Sequence, residues 1–168
     1  MGTIISPFVY QIKDDAEGLK QFKDDLVENT SQKVQEIMLQ FPTVYIHIWK
    51  NAEDYEVYIG ESNNIIQRTR QHYDSMSDET KWQHQLMVHT GTLYIVGHEH
   101  FNKSLTLDLE NRLMLYMMSV DRVKKIHNMR GNPQNRYYPD SEVDNIFHMM
   151  WSKLHWNNKY LFPSESSI

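Results

Sequence analysis

The chain contains no cysteine. A disulfide framework, an iron–sulfur cluster, a thiolate zinc site and a cysteine nucleophile are all excluded. It has no excess of basic charge. Seventeen Lys and Arg stand against 22 Asp and Glu, a formal net charge of −5, which excludes a broadly basic nucleic-acid binder but leaves room for a local basic face. No long hydrophobic run exists: the longest stretch free of strongly polar residues is Leu113–Met118, too short to span a bilayer. Met1–Tyr10 carries no basic leader ahead of an apolar segment, so the expectation is a cytoplasmic protein without membrane contact. There is no P-loop and no Gly-x-Ser-x-Gly elbow, and Gly60 lacks the companions of a dinucleotide loop.

What is present fits one globular domain. The chain has 168 residues, 40% hydrophobic and 23% charged, long enough to bury a core without covalent staples. Leu19, Phe22, Leu26, Val34, Ile37, Met38 and Phe41 recur at helical spacing over residues 14–41. Asn29-Thr30-Ser31 divides this region into two helices, with Thr30 or Ser31 as the second cap. Thr43–Trp49 and Tyr55–Ile59 are β-branched and aromatic, and the polar link between them predicts an antiparallel hairpin. Period two places Tyr45, His47 and Trp49 on one face. A helix is expected over Asn63–Ser75, a short one over Trp82–Val88, a third strand over Thr92–Gly97, a long helix over Ser104–Val120 capped by Ser104, a loop over 121–139 and a last helix over Glu142–Asn157. The fold class is α+β, a small three-stranded antiparallel sheet flanked by helices.

Three features carry chemistry. Asn64, Arg68 and His72 fall at i, i+4, i+8 on one helix face. Such a file is either a solvated surface or a phosphate-facing one, because Arg offers a planar donor fork and His exchanges a proton. Glu110 falls among Leu107, Leu113, Met114 and Met117 on the helical wheel, with Asp108, Arg112 and Ser119 opposite and Asp108–Arg112 as an i, i+4 ion pair. A carboxylate in an apolar stripe requires a cation or a donor; a metal ion and a core Tyr or Arg both satisfy it. Residues 121–136 carry Arg122, Lys124, Lys125, Arg130 and Arg136 against Asp121 alone, a net +4, whereas residues 1–42 are net −3. The basic stretch is either a nucleic-acid contact or a solvated loop. His98-Glu99-His100 has the alternation of some zinc sites, but no third ligand at fitting spacing accompanies it. His148 and His155 read as helix surface.

Val44-Tyr45-Ile46, Tyr58-Ile59-Gly60, Asn64, Arg68, His72 and Leu109-Glu110 together resemble the GIY-YIG endonuclease superfamily over roughly residues 43–130. The late Asn of that family corresponds to Asn128, with Asn132 and Asn135 as rivals. Thr43 stands where the family has Gly, and His47 and Glu61 are additional groups near the expected site. The resemblance implies hydrolysis of a DNA phosphodiester with one divalent cation, Mg²⁺ or Mn²⁺, held by Glu110. Arg68 would neutralise charge on the phosphate, Tyr45 or Tyr58 would act as general base, and His72 would relay or take the proton. DNA contact is expected through Asn64, Arg70, Lys124, Lys125, Asn128, Arg130 and Arg136. The alternative is a nucleic-acid-binding or scaffold domain that keeps the fold without catalysis. The layout implied is an N-terminal helical extension over 1–42, a catalytic core over 43–139, and a C-terminal helix with a linker tail over 140–168, all in one compact domain. The tail and the late Asn region also resemble bacterial proteins that join such a module to a P-loop helicase-like ATPase, so a further C-terminal domain is expected.

Overall fold

The computed structural model describes residues 5–128 and 141–167. At its centre is the hairpin of β2 (Thr43–Asn51) and β3 (Asp54–Ser62), paired antiparallel from Thr43↔Ser62 to Asn51↔Asp54. The chain reverses through Ala52 and Glu53, and Ala52 takes a left-handed φ of 56°, as two-residue hairpin turns demand. Two helices precede the hairpin: α1 (Ala16–Asn29), whose cap Asp15 accepts from the Gly18 amide, and α2 (Gln32–Leu39), capped by Ser31. After it come α3 (Ile65–Asp74), the short α4 (His84–Val88), β4 (Gly91–Gly97) and α5 (Lys103–Met118). The cap of α5 is Asn102, which accepts from the Leu105 amide, and not Ser104.

The sheet is larger than the three antiparallel strands expected. It has five strands in the order β1-β4-β2-β3-β5 and is mixed. Phe8–Lys13 forms β1, antiparallel to β4, ahead of the helices in a region expected to be helical. Val123–Ile126 forms β5, parallel to β3, inside the stretch expected to be a loop. Both are edge strands, and edges use short, polar-laced segments whose periodicity is weak in sequence. β5 is four residues long with Lys124 and Lys125 exposed. Parallel pairing next to β3 follows from the return of the chain along α5.

β2 is central and covered on both faces, so its first seven residues are all buried. Val44, Ile46 and Ile48 face Leu109, Leu113 and Met117 of α5 and Ile146, Phe147 and Met150 of α6 (Ser141–Asn157). Tyr45 joins the opposite cluster, with Leu19, Phe22 and Leu26 of α1, Ile37 and Met38 of α2, and Ile65 of α3. Helices thus pack on both sides of the sheet.

Two expectations about the second half are corrected. Arg112 is not on a solvated face paired with Asp108. It is 8% exposed, paired with Asp144 of α6, with its guanidinium 5.9 Å from the Phe147 ring. α6 covers that side of α5 and supplies the carboxylate, which no helical wheel of α5 alone contains. Leu107 and Leu115 are exposed instead. The tail is not a free linker at its start: Leu161 and Phe162 are fully buried, and the Trp151 indole donates to the Pro163 carbonyl at 2.8 Å. No helix among the described residues is long and apolar enough to cross a membrane.

The left-handed Ala52 yields a direct expectation. Its Cβ is strained in that conformation and glycine is not, although glycine costs more entropy on folding. Ala52→Gly is expected to stabilise the fold by about 0.5–1 kcal/mol, seen as a rise of about 2 °C in Tm by calorimetry.

Candidate active site

Gly60 explains the local architecture. It lies directly across from Tyr45 in the β2–β3 ladder, and a Cβ there would come within 2.5 Å of the Tyr45 Cζ and hydroxyl. The Tyr45 ring therefore lies over the bare backbone of Gly60. In this position the phenol is 1% exposed and its hydroxyl reaches α3.

α3 is launched two residues after β3. The Asn64 side-chain Oδ1 caps it by accepting from the Gln67 amide at 3.0 Å. Asn64 is therefore spent in part on the helix start, where its side chain satisfies an otherwise open amide. Arg68 and His72 follow on the face turned to the sheet. The Tyr45 hydroxyl meets His72 Nε2 at 3.1 Å, and Arg68 Nε donates to the same oxygen at 3.5 Å. The Tyr58 phenol lies close enough to Arg68 to favour its charged form. Tyr45, Tyr58, Arg68 and His72 are thus brought together. Arg70 is not: it lines a groove with Ile66 and Tyr73 of α3 and Leu19, Lys20 and Lys23 of α1.

Burial governs the charge states. It raises the Tyr45 phenol well above its ordinary value, helped by Tyr58 and Glu110 and opposed by Arg68. It drives His72 down to about 3, with the charges of His47 and Arg68 adding to the effect. His72 is consequently neutral near pH 7, with one donor and one acceptor nitrogen. Its Nδ1 lies 3.2 Å from the Gln83 side-chain amide, whose Oε1 is buried without a partner among the described residues. Turning that amide lets Oε1 accept from Nδ1–H. Nε2 then carries the lone pair, and the Tyr45 hydroxyl donates to it.

Glu110 sits on α5, half-buried, with its charge felt at the Tyr45 phenol. Glu61, beside the site at the end of β3, is committed: it pairs with Lys103 and accepts from the Thr106 hydroxyl at 3.2 Å. Asn128 is spent on the fold. Its Oδ1 accepts from the Ile59 amide at 3.1 Å and its Nδ2 donates to the Ile59 carbonyl. The side chain continues the β5 ladder along the Tyr58-Ile59-Gly60 segment. Arg122, Lys124 and Lys125 are exposed at that edge. Arg130 and Arg136, and the rival Asn132 and Asn135, lie outside the described residues.

The His98–His100 alternation forms no metal site. His98 Nε2 bonds the Ile5 carbonyl at 2.7 Å, and its Nδ1 accepts from the His100 amide at 3.0 Å. Among the described residues no group of three or more His, Asp or Glu is arranged to hold a metal ion.

Sequence reasoning passed over Trp82, Gln83, Asp14 and Tyr73. The Trp82 ring stacks on Tyr58 with centroids 4.0 Å apart and planes 13° apart, and lies 4.9 Å from His72. Trp82 and Gln83 arrive from the segment between α3 and α4, and no spacing rule links them to Tyr58 or His72. For His47, the alternation of β2 was the available signal, since it shares the Tyr45 face.

Comparison with known proteins adds one finding. The family model for the GIY-YIG catalytic domain matches residues 43–115, which hold Tyr45, Tyr58, Arg68, His72 and Glu110. A search of curated proteins gave no match, and a search of solved structures gave none either.

The depressed His72 predicts acid sensitivity with a definite sign. The unfolded chain protonates His72 below its ordinary 6.5, whereas the folded protein does not until about 3. Its contribution is complete above pH 6.5 and is lost as pH falls toward 3. Between pH 7 and 5 the loss from this group is at most about 2 kcal/mol. Urea unfolding at both pH values should show His72→Gln losing less stability than the parent across that step.

Proposed function

We propose that this site is a divalent-metal-dependent endonuclease centre that hydrolyses DNA phosphodiester bonds. The observation that carries the reading is the convergence of His72 and Arg68 on one phenol oxygen, that of Tyr45, within electrostatic reach of Glu110. All four lie inside the segment that matches the GIY-YIG catalytic domain, a family of nucleases.

Each residue has a task that its setting supports. Arg68 is half-exposed, between the two phenols. Its guanidinium offers donors to the non-bridging oxygens of a phosphate and balances charge that develops there. Tyr45 takes the proton of an attacking water as its own proton passes to the Nε2 lone pair of His72. Before substrate enters, both groups are held neutral by burial. A phosphodiester brings negative charge beside them, which raises the proton affinity of His72 and offsets the Arg68 charge that depresses it. Tyr45 is the better base candidate than Tyr58 because a proton acceptor is already hydrogen-bonded to it. Tyr58, stacked on Trp82, instead lies beside the Arg68 charge.

Glu110 would hold the cation. A lone carboxylate without an acidic cluster suits Mg²⁺ or Mn²⁺, hard ions that keep several waters and share phosphate oxygens. When bound, the ion would polarise the phosphate and take up charge on the leaving oxygen. The exposed Arg122, Lys124 and Lys125 of the β5 edge offer a track for the DNA backbone.

A supercoiled-plasmid nicking assay tests the proposal. The parent should nick in Mg²⁺ and stop in EDTA. Glu110→Gln should lose nicking by a factor of about 100 or more while keeping its fold and its DNA affinity, since it removes charge from the cation site and not from the phosphate contacts. A well-folded parent that binds DNA and never nicks it would establish the scaffold alternative.

A further inference from the structure

Asp14 lies just past β1, ahead of the segment that matches the nuclease family. It is buried, at 4% exposure. Its two carboxylate oxygens go to two different elements. Oδ2 accepts from His47 Nδ1 on β2 at 2.6 Å, and Oδ1 accepts from the Tyr73 hydroxyl on α3 at 2.8 Å. His47 stands two residues after Tyr45 on the same strand face, and Tyr73 adjoins His72. One carboxylate therefore ties the strand that carries the phenol to the helix that carries its partners.

The His47 ring is enclosed by the site. Its centroid is 5.4 Å from Tyr45, 6.1 Å from Tyr58, 5.2 Å from His72 and 5.2 Å from Trp82. Nδ1 faces Asp14, and Nε2 is buried with no hydrogen-bond partner among the described residues. A buried polar atom left open in a packed aromatic cluster is costly. A carboxylate buried beside it is costly too unless its donors are held in place. Neither cost is needed for folding, since an apolar pair would fill the same space.

We propose that Asp14 is a positioning residue of the active site: its carboxylate clamps β2 to α3 through His47 and Tyr73, and so fixes Tyr45 against His72 and Arg68. This rests on the nuclease reading of that site. The clamp is supplied by the turn between β1 and α1, outside the family-matching segment, so the N-terminal region completes the site as well as covering it. In Asp14→Asn the amide can accept from only one of the two donors. Either His47 Nδ1 or the Tyr73 hydroxyl loses its acceptor. Tyr73→Phe removes the α3 arm alone.

The test compares parent, Asp14→Asn and Tyr73→Phe in single-turnover nicking with Mg²⁺. DNA affinity is measured separately, and the imidazole nitrogens of His47 and His72 are observed by ¹⁵N NMR without DNA. Misplacement of reacting groups should slow cleavage about 10- to 100-fold in Asp14→Asn and less in Tyr73→Phe. DNA affinity should stay within about twofold, a loss in rate and not in binding. The His72 nitrogen shifts should change in both variants. Variants that only melt earlier, with parental rate per folded molecule and parental His72 shifts, would overturn the proposal. If Asp14→Asn does not fold, Tyr73→Phe decides on the same two readouts. If the parent itself does not nick DNA, the nuclease reading fails, and the His72 shifts still decide the clamp.

Discussion

The hydrogen bond between the Tyr45 hydroxyl and His72 Nε2 is the contact around which the rest is arranged. It requires a bulky phenol to lie across the sheet to a helix, and only a glycine opposite makes room for it. The β2–β3 register places Gly60 there. Asn128 fastens the backbone of the preceding residue, Ile59, so that the register cannot slide at that point. Asn64 then starts α3 at the position that returns Arg68 and His72 to the phenol. Fold and site are linked through these few contacts, each of which fixes an orientation.

Electrostatically the central pair, Tyr45 and His72, is neutral at rest. Burial raises Tyr45 and lowers His72, so neither carries charge near neutral pH. Arg68 is the cation that faces both phenols. Glu61, one of the additional groups near the site, is paired with Lys103 of α5. The arrangement suits an anionic substrate: the positive charge is placed at the phenols, and Glu61 is ion-paired. A neutral His72 is also the form that can accept a proton.

Much of this was legible in the sequence, and the parts that were not share a cause. The β2–β3 hairpin, α3 and the file of Arg68 and His72 are local patterns, set by residues within one or two elements, and periodicity reports them. β1 and β5 are edge strands, short and mixed in polarity, whose existence depends on a neighbour far away in the chain. Arg112 was placed on the wrong face because its partner, Asp144, belongs to α6. The tail looked like a linker because Leu161 and Phe162 show no period, although they fill the core. Asp14 is the sharpest case. Next to Asp15, which caps α1, it reads as one more acid at a helix start. Its role is set by residues 33 and 59 positions away, a separation over which sequence spacing carries no information.

The most direct test acts on Gly60 itself. Gly60→Ala adds one methyl group that collides with the Tyr45 phenol, far from Arg122, Lys124 and Lys125 in role and from the Glu110 carboxylate in chain position. Cleavage of plasmid DNA in Mg²⁺ should be measured per folded molecule, with DNA affinity and circular dichroism taken on the same sample. If the Tyr45–His72 contact governs the chemistry, the variant keeps its secondary structure and binds DNA as the parent does, while nicking slows by about 100-fold or more, the size expected when a reacting group is displaced by an ångström. A Gly60→Ala protein that nicks DNA at the parental rate would contradict the account.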